Sequence, residues 1–165
     1  MKTLAELLDD YKVVNSVGEH VGKIKDVFLD LNKWEISGFE VSPRLFKKAV
    51  LLRIEDVVEI KEKEKLLIVK DDFQGSEIPS TPMKNMFPFD ELSKRHVVDV
   101  NGEKVGKIYN LEIPYEKTKK LKVWKILVKT GFKERRLRLR PQEIVDIGED
   151  IKLGKSEEEY QGKME

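Results

Sequence analysis

One short glycine-containing phrase occurs twice in the chain, and this repeat limits the possible architectures more than any other feature. Residues 17–24 read VGEHVGKI and residues 101–108 read NGEKVGKI, an offset of 84 residues. Self-similarity at a fixed offset indicates one structural unit that occurs twice. Two units in 165 residues are each small and marginally stable alone. We therefore expect the units to dock on each other, on a partner, or on both.

Each copy is predicted to begin with one short helix and to continue as short antiparallel strands. Thr3 followed by Glu6 is a capping-box pattern, and it predicts a helix that runs to about Asp10. A second short helix is expected at residues 88–94. Alternating apolar residues then predict hairpins in both copies. The fold class is all-β, with two tandem small antiparallel barrels, each with a short N-terminal helix.

Four glycines are assigned to turns and bends. Gly18 and Gly102 follow the residue that opens a tight turn, where glycine accepts a positive φ angle. Gly22 and Gly106 lie where the apolar spacing becomes three, three and two instead of the period of two of a regular strand. We expect β-bulges or a sharp bend there, and close backbone approach at the glycines.

The repeat divides the chain into two units. We expect a first barrel at residues 1–72, a linker at 73–87, a second barrel at 88–154 and a polar tail at 155–165. The tail is expected to be frayed. Four apolar residues in or just after the linker are expected to wedge between the barrels, with a partner-binding segment as the alternative: Met83, Met86, Phe87 and Phe89.

Composition narrows the function classes. The chain has 32 basic and 31 acidic residues, so its charge gives no bulk attraction to nucleic acid or to an anionic membrane. It has no cysteine, which excludes disulfides and thiolate chemistry. Its apolar runs are far shorter than the ~20 residues of a membrane-spanning helix. We expect a cytoplasmic protein that is not inserted directly into a membrane.

No catalytic, metal or cofactor site is predicted. The two histidines, His20 and His96, do not occupy corresponding positions in the two copies, so they do not indicate a shared site. Asp26 and Asp30 lie two pleats apart on one strand and could pair. We interpret them as solvated carboxylates and expect neither an enzyme nor a bound metal or cofactor.

A basic stretch in the second copy is the sharpest local signal. Residues 117–140 contain 11 Lys and Arg and a single acidic residue. Arg136, Arg138 and Arg140 alternate with leucines, so they should share one face of a strand. This face could bind an acidic protein partner or an RNA backbone, or it could simply be solvated. The side on which Trp124 lies is left open.

The hairpin tips are the second candidate for a partner site. Leu45 and Phe46 lie at the tip in the first copy, and Phe132 lies at the corresponding tip in the second. Apolar residues at exposed tips are unusual unless they cover a core or contact a partner. Both explanations remain open.

The layout resembles the PRC-barrel family, named for the photosynthetic reaction centre. The resemblance is carried by residues 18–30, GEHVGKIKDVFLD, after a Leu7-Leu8 helix, and the second copy matches it through residues 102–108. The second copy departs from it at Asn110 and Pro114, where the first copy has Asp26 and Asp30.

The resemblance implies a non-catalytic role. Relatives include the reaction-centre H subunit, the ribosome-maturation factor RimM and archaeal cell-division proteins of the CdpB type, which act with SepF, the FtsZ anchor. A tandem pair resembles the archaeal group most. We therefore expect an adaptor at the division site, as a homo- or heterodimer, with SepF or another PRC-barrel protein as partner. RNA or ribosome-maturation binding, as in RimM, is the alternative; nucleic acid is otherwise not expected as a partner.

Overall fold

The computed structural model describes residues 1–43, 48–115, 120–131 and 135–163. Two seven-stranded β-sheets dominate this part of the chain, and two short α-helices accompany them. The all-β prediction is confirmed. The strands are β1 (Lys2–Thr3), β2 (Lys12–Asn15), β3 (His20–Asp30), β4 (Glu35–Pro43), β5 (Val50–Arg53), β6 (Val57–Lys61), β7 (Leu66–Val69), β8 (Phe87–Pro88), β9 (Val97–Val98), β10 (Lys104–Ile113), β11 (Lys125–Thr130), β12 (Arg136–Leu139), β13 (Ile144–Ile147) and β14 (Ile151–Leu153), and the helices are α1 (Leu4–Asp9) and α2 (Phe89–Lys94).

The two sheets have corresponding strand orders. The first sheet runs β5-β4-β3-β2-β7-β6, and the second runs β12-β11-β10-β9-β14-β13. In each sheet one pair is parallel, β2 with β7 and β9 with β14, and the other neighbours are antiparallel. Corresponding positions are 84 residues apart in β3 and β10 and 87 residues apart in the hairpins that follow, as the sequence offsets indicate.

The irregular apolar spacing in the long strands is explained by bulges. The register of β3 shifts between Ile24 and Asp26, and that of β10 shifts between Ile108 and Asn110, its counterpart. Each bulge turns the strand so that residues three apart face the core together. The predicted bulges are therefore confirmed in both copies.

The glycines lie in two kinds of environment. Gly18 and Gly102 have φ angles of +85° and +79° and open surroundings, so conformation alone explains them. Gly22 and Gly106 instead face backbone. A Cβ atom on Gly22 would lie 2.5 Å from the Ser42 carbonyl oxygen, and one on Gly106 would lie 2.1 Å from the Lys129 carbonyl oxygen. Any side chain there forces neighbouring strands apart.

Short strands are exchanged between the sheets. β1 comes before the first sheet in sequence but pairs with β10, with Lys2 opposite Ile113. β8 comes before the second sheet but pairs with β3, with Phe87 opposite Leu29. These two pairings occupy corresponding positions, so the exchange is reciprocal. Each sheet is completed by the segment that leads into the other.

The sheets also meet directly at one antiparallel contact. The Ile36 amide donates to the Leu121 carbonyl at 2.9 Å, and the Val123 amide donates to the Trp34 carbonyl at 2.8 Å. Glu35 lies opposite Lys122 between these bonds, and the two residues correspond at the 87-residue offset. This contact relates the sheets by an approximate two-fold axis.

One hydrophobic core joins both sheets and both helices. The helix residues Leu7 and Leu92 are fully buried in it, together with residues from every long strand. Thr3 accepts a hydrogen bond from the Glu6 amide at 3.2 Å, which confirms the predicted cap of α1. No helix in the described ranges is long and apolar enough to cross a membrane.

The linker differs from its prediction. Met83 is 48% exposed rather than wedged between barrels. Met86 packs with Phe28 and Leu51 in a small separate cluster, away from the shared core. Only Phe87 and Phe89 enter the shared core. The linker follows the first sheet because its apolar residues cover that sheet's outer surface.

The expectation of a frayed tail is wrong for most of its length. Residues Glu157–Lys163 form a 3-10 helix, and Tyr160 is 1% exposed in the shared core. The Glu157 amide donates to Asp99 Oδ2 at 2.8 Å. The tail sequence is polar overall, so the single aromatic residue that anchors it does not produce a periodic signal.

Candidate protein-interaction site

The arginine-rich strand β12 alternates as its sequence predicts. Leu137 and Leu139 are fully buried, while Arg136 is exposed and Arg138 is half-buried. Arg140 lies just beyond the strand and is exposed. β12 is at the end of the second sheet's strand order, so its arginines extend the surface of that sheet. We call the surface that faces away from the shared core the outer face.

Arg138 is bound within the protein. Its Nε and Nη2 atoms donate to Glu112 Oε1 and Oε2 at 2.9 and 2.8 Å, a bidentate ion pair across β11. This geometry is among the stronger forms of ion pairing because two parallel hydrogen bonds fix both groups. Arg138 therefore contributes to the structure of the face, and reversing its charge would break an internal contact.

Arg136 belongs instead to a row of like charges. It lies opposite Lys129 on β11, and Lys129 lies opposite Lys107 on β10. All three are exposed, and the Arg136 guanidinium lies 5.2 Å from the centre of the Tyr109 ring. Like charges directly opposite each other destabilise a sheet. We call Lys107, Lys129 and Arg136 the cationic row.

The first sheet lacks this row. The corresponding residues are Lys23, Ser42 and Ala49, with one cation instead of three. The fold therefore does not require the charges. The alternation in β12 singles out Arg136 in the sequence but not Lys107 or Lys129, because cross-strand neighbours are distant in the chain. Lys107 and Lys129 become apparent only when the two copies are aligned residue by residue, because the first copy has a single cation at the corresponding three positions.

The outer face of the first sheet is covered by the linker. The Leu51 amide donates to the Ser76 carbonyl at 2.8 Å, and the Ser76 amide donates to the Leu51 carbonyl at 3.1 Å. Beyond this contact with the edge strand β5, Met86 and Ile78 pack on Phe28 and Leu51. An extended segment thus covers the face by backbone pairing at the edge and apolar contact on the surface.

The corresponding face of the second sheet has different chemistry. Glu112 and Arg138 occupy the positions of Phe28 and Leu51, so an ion pair replaces an apolar pair. Trp124 occupies the position of Ser37, whose hydroxyl contacts the Met86 sulfur at 3.3 Å in the first sheet. Trp124 is 50% exposed, so its side chain lies on the solvent side of the second sheet and not in the shared core. The Lys125 ammonium lies 5.6 Å from its ring centre.

The interpretation of Asp26 as a solvated carboxylate is wrong, because its side chain is half-buried and hydrogen-bonded within the protein. Its Oδ1 accepts from the Val27 amide at 2.7 Å, and its Oδ2 accepts from the Asp90 amide at the start of α2 at 3.4 Å. Burial raises its pKa to about 6, against the lowering effect of these two hydrogen bonds. Asn110 is the counterpart and accepts from the Leu111 and Ala5 amides at 2.9 and 3.1 Å.

Asp26 and Asp30 do not form a carboxylate pair with a common ligand. Asp30 accepts hydrogen bonds from the Asn32 and Lys33 amides in the loop that follows β3, so the two carboxylates satisfy separate backbone segments. Across the part of the chain that the structure describes, no three His, Cys, Asp or Glu residues are grouped so that they could hold a metal ion.

The apolar hairpin tips fall outside the described ranges. Leu45, Phe46 and Phe132 remain candidates for partner contact on the sequence argument alone. Among the described residues, the cationic row and Trp124 distinguish the outer face of the second sheet from that of the first.

Comparisons with known proteins identify a domain rather than a specific role. No curated protein matches the chain. Residues 4–73 match the family model described as the PRC-barrel domain, and this range includes α1 and all the strands from β2 to β7. A PRC-barrel domain indicates a small interaction or adaptor module.

Proposed function

We propose that this protein is a non-enzymatic adaptor that binds an acidic surface of another protein through the outer face of its second sheet. The cationic row carries this proposal. Three like charges on neighbouring strands cost stability, and their absence from the first sheet means that the fold does not need them. A ligand that supplies carboxylates would relieve the repulsion.

The second sheet would then be a second PRC-barrel domain with a different surface. Its strand order, bulges and exchanged strand correspond to those of the first sheet, which supports this assignment. Residues 1–87 have 14 basic and 16 acidic residues, and residues 88–165 have 18 and 15. This opposite polarity suits protein contacts better than RNA binding, for which both copies could be recruited.

For the cellular role we propose cell division, with localisation at the division site through the partner. The support is the resemblance of a tandem PRC-barrel chain to the archaeal proteins of the CdpB type. SepF or another PRC-barrel protein is then the expected partner, in a homo- or heteromeric complex. The adaptor proposal does not depend on this assignment.

The test is capture of partners from cells of the source organism by the tagged protein, with identification by mass spectrometry. We expect one dominant protein partner, lost when Lys129 and Arg136 are changed to Glu. Lys23→Glu, at the first-sheet position that corresponds to Lys107, is the matched control and should retain the partner. Arg138 is left unchanged because its loss would disturb Glu112.

RNA is the outcome that would contradict the adaptor proposal. Binding through several phosphate contacts weakens steeply as salt rises. If the protein binds RNA tightly at physiological salt, and if the Lys129→Glu, Arg136→Glu variant loses that binding, the protein is an RNA-binding factor. Recovery of SepF would support the cell-division role, and a different protein partner would support the adaptor role alone.

A further inference from the structure

The first sheet shows how this fold binds an extended segment on its outer face. Residues 76–86 cross from the edge strand β5 toward β3, beginning at the paired hydrogen bonds between Ser76 and Leu51. They end with Met86 against Phe28, just before β8 pairs with β3. The segment thus traverses three strands, which span about 10 Å.

The path of this segment maps onto the second sheet. Leu51, Phe28 and Ser37 correspond to Arg138, Glu112 and Trp124. Arg138 lies opposite Leu127, and Leu127 lies opposite Asn110, so the corresponding path also crosses three strands. The cationic row lies two residues along β11 and β12 from Leu127 and Arg138, or about 7 Å, and five residues along the chain from Trp124, or about 17 Å.

A solvated surface explains only part of this face. On a solvent-exposed face, an ion pair such as Arg138–Glu112 is better hydrated than two apolar side chains. Solvation gives no reason to place a half-exposed Trp124 at the position of Ser37. It also gives no reason to align three cations across neighbouring strands. An apolar site beside a basic row fits a ligand that is both apolar and acidic.

We propose that an extended acidic segment of the partner protein lies across the outer face of the second sheet, as residues 76–86 lie across the first. This inference rests on the proposed adaptor function and specifies how the partner binds. One apolar side chain of the segment packs on Trp124, as Met86 packs beside Ser37. Carboxylates farther along the segment lie over Lys107, Lys129 and Arg136.

The mode of binding combines two recognition principles. Short extended segments bind sheets through side chains that enter alternate surface sites, which supplies specificity. Complementary charge supplies orientation and a faster association rate. Trp124 contributes a large, rigid contact surface, and such residues concentrate binding energy in protein interfaces. The segment needs about six residues over the sheet, because about 17 Å separates Trp124 from Lys129 and an extended chain rises about 3.3 Å per residue.

The experiment uses the full-length protein and two labelled synthetic peptides. The first peptide has the sequence of residues 74–87, which has one acidic and one basic residue. The second peptide is the same segment with S80E, T81E and K84E, and it retains the methionines and phenylalanine. Binding is measured by fluorescence anisotropy, and hydrogen–deuterium exchange locates the peptide on the protein.

We expect the acidic peptide to bind at least tenfold more tightly than the neutral one. W124S and R136E should each weaken binding of the acidic peptide about tenfold, while K23E should leave it unchanged. Exchange should slow at residues 107–112 and 124–131 when the acidic peptide binds. Thermal unfolding midpoints near that of the wild-type protein establish that W124S and R136E fold.

Two results would overturn the inference. If W124S binds the acidic peptide as the wild type does while R136E does not, binding is purely electrostatic and the path across the sheet is wrong. If the acidic peptide does not bind, or protects other strands, the segment mode is also wrong. Neither result removes the adaptor proposal, which is decided by partner capture and its loss in the Lys129→Glu, Arg136→Glu variant.

Discussion

Asp26 and Asn110 perform the same task with different side chains. Each lies in the bulge of its long strand and accepts a hydrogen bond from the start of the helix that leads into the other sheet. An amide performs this task without a charge, whereas a carboxylate must lose part of its hydration. Asp90 and Glu40 add negative potential near Asp26, and Lys94 is engaged with Asp90 at 3.0 Å.

Asp26→Asn is expected to stabilise the protein at neutral pH. Burial raises the Asp26 pKa from 3.8 to about 6, so the folded state binds this proton more tightly than the unfolded chain does. The free energy of unfolding therefore falls as pH rises from about 4 to about 6. The variant should gain about 1 kcal/mol at pH 7.5, a value reduced for partial solvation.

Denaturant unfolding at several pH values measures this effect. The advantage of Asp26→Asn should disappear near pH 3, where the wild-type carboxyl is protonated in the folded state and largely so in the unfolded chain. Asn110→Asp is the matched control, because it places a carboxylate at the counterpart site, and it should lose stability at neutral pH and recover it in acid. A gain for Asp26→Asn that does not change with pH would refute the burial argument.

Gly106 is expected to tolerate no side chain. A Cβ atom there would lie 2.1 Å from the Lys129 carbonyl oxygen, so β10 and β11 would have to separate. Gly106→Val should destabilise the protein by roughly 1–3 kcal/mol, measured by thermal unfolding. Gly131→Ala is the control, since a Cβ atom on Gly131 would meet nothing within 4 Å, and it should be nearly neutral. An unchanged unfolding midpoint in Gly106→Val would contradict the prediction.

The sequence predicts individual elements well where the signal is local. The cap at Thr3, the bulges and the alternation of β12 each follow from residues a few positions apart. Contacts made by the linker and the tail do not follow in this way, because they depend on partners far along the chain. Ser76 pairs with Leu51, and Glu157 binds Asp99, without a periodic pattern in either segment.

Asp99 fastens the start of the tail, in addition to the buried Tyr160 and the hydrogen bond from the Val100 amide to the Lys155 carbonyl. Asp99 Oδ1 accepts from the Asn101 and Glu103 amides at 2.9 Å each, and Oδ2 accepts from the Glu157 amide. Burial raises its pKa, and the hydrogen bonds from Glu157, Glu103 and Asn101 lower it by more, so the net pKa is lowered. In the first sheet Asn15 holds the corresponding turn with its amide oxygen.

Asp99→Asn is expected to loosen the start of the tail while keeping the turn. The amide oxygen can replace Oδ1, as Asn15 shows, but the amide nitrogen cannot accept from Glu157. Amide hydrogen exchange should accelerate at residues 157–160 and stay unchanged at 101–103. Because the folded pKa of Asp99 is lowered, its stabilising effect is present at neutral pH and is lost as pH falls through that pKa.

The difference in stability between Asp99→Asn and the wild type should therefore narrow in acid. Asn15→Asp tests the same turn in the first sheet and should leave exchange in the tail unchanged. If Asp99→Asn accelerates exchange equally in the turn and in the tail, the two hydrogen-bond roles of Asp99 are not separable.

The exchange of the short strands β1 and β8 between the two sheets holds the whole molecule together. β1 comes before the first sheet yet pairs with the second, and β8 does the reverse, while α1 and α2 each contact the long strands of both sheets. Each crossing contains a contact between a cation and an aromatic ring, Lys2 with Tyr115 at 4.9 Å and Arg95 with Phe87 at 4.8 Å. The buried Lys2 also pairs with Glu62 at 2.5 Å.

The repeat in the sequence predicts two similar units but does not predict this exchange. The segments of β1 and β8 are two residues long, too short to indicate which sheet they join. Their choice depends on the common core, in which Leu7, Leu92 and residues of both sheets pack together. A core of this kind should unfold as one unit, because neither sheet retains its buried surface without the other.

We therefore expect a single cooperative unfolding transition, with equal calorimetric and van't Hoff enthalpies. Fragments 1–86 and 87–165 should each lack cooperative unfolding alone, since the first loses β8 and α2 and the second loses β1 and α1. Mixed in equal amounts, they should form a stable one-to-one complex whose circular dichroism matches that of the intact chain. Two separate transitions in the intact protein, or an independently folded fragment 1–86, would show that the exchange is dispensable and that each sheet is stabilised mainly by its own strands.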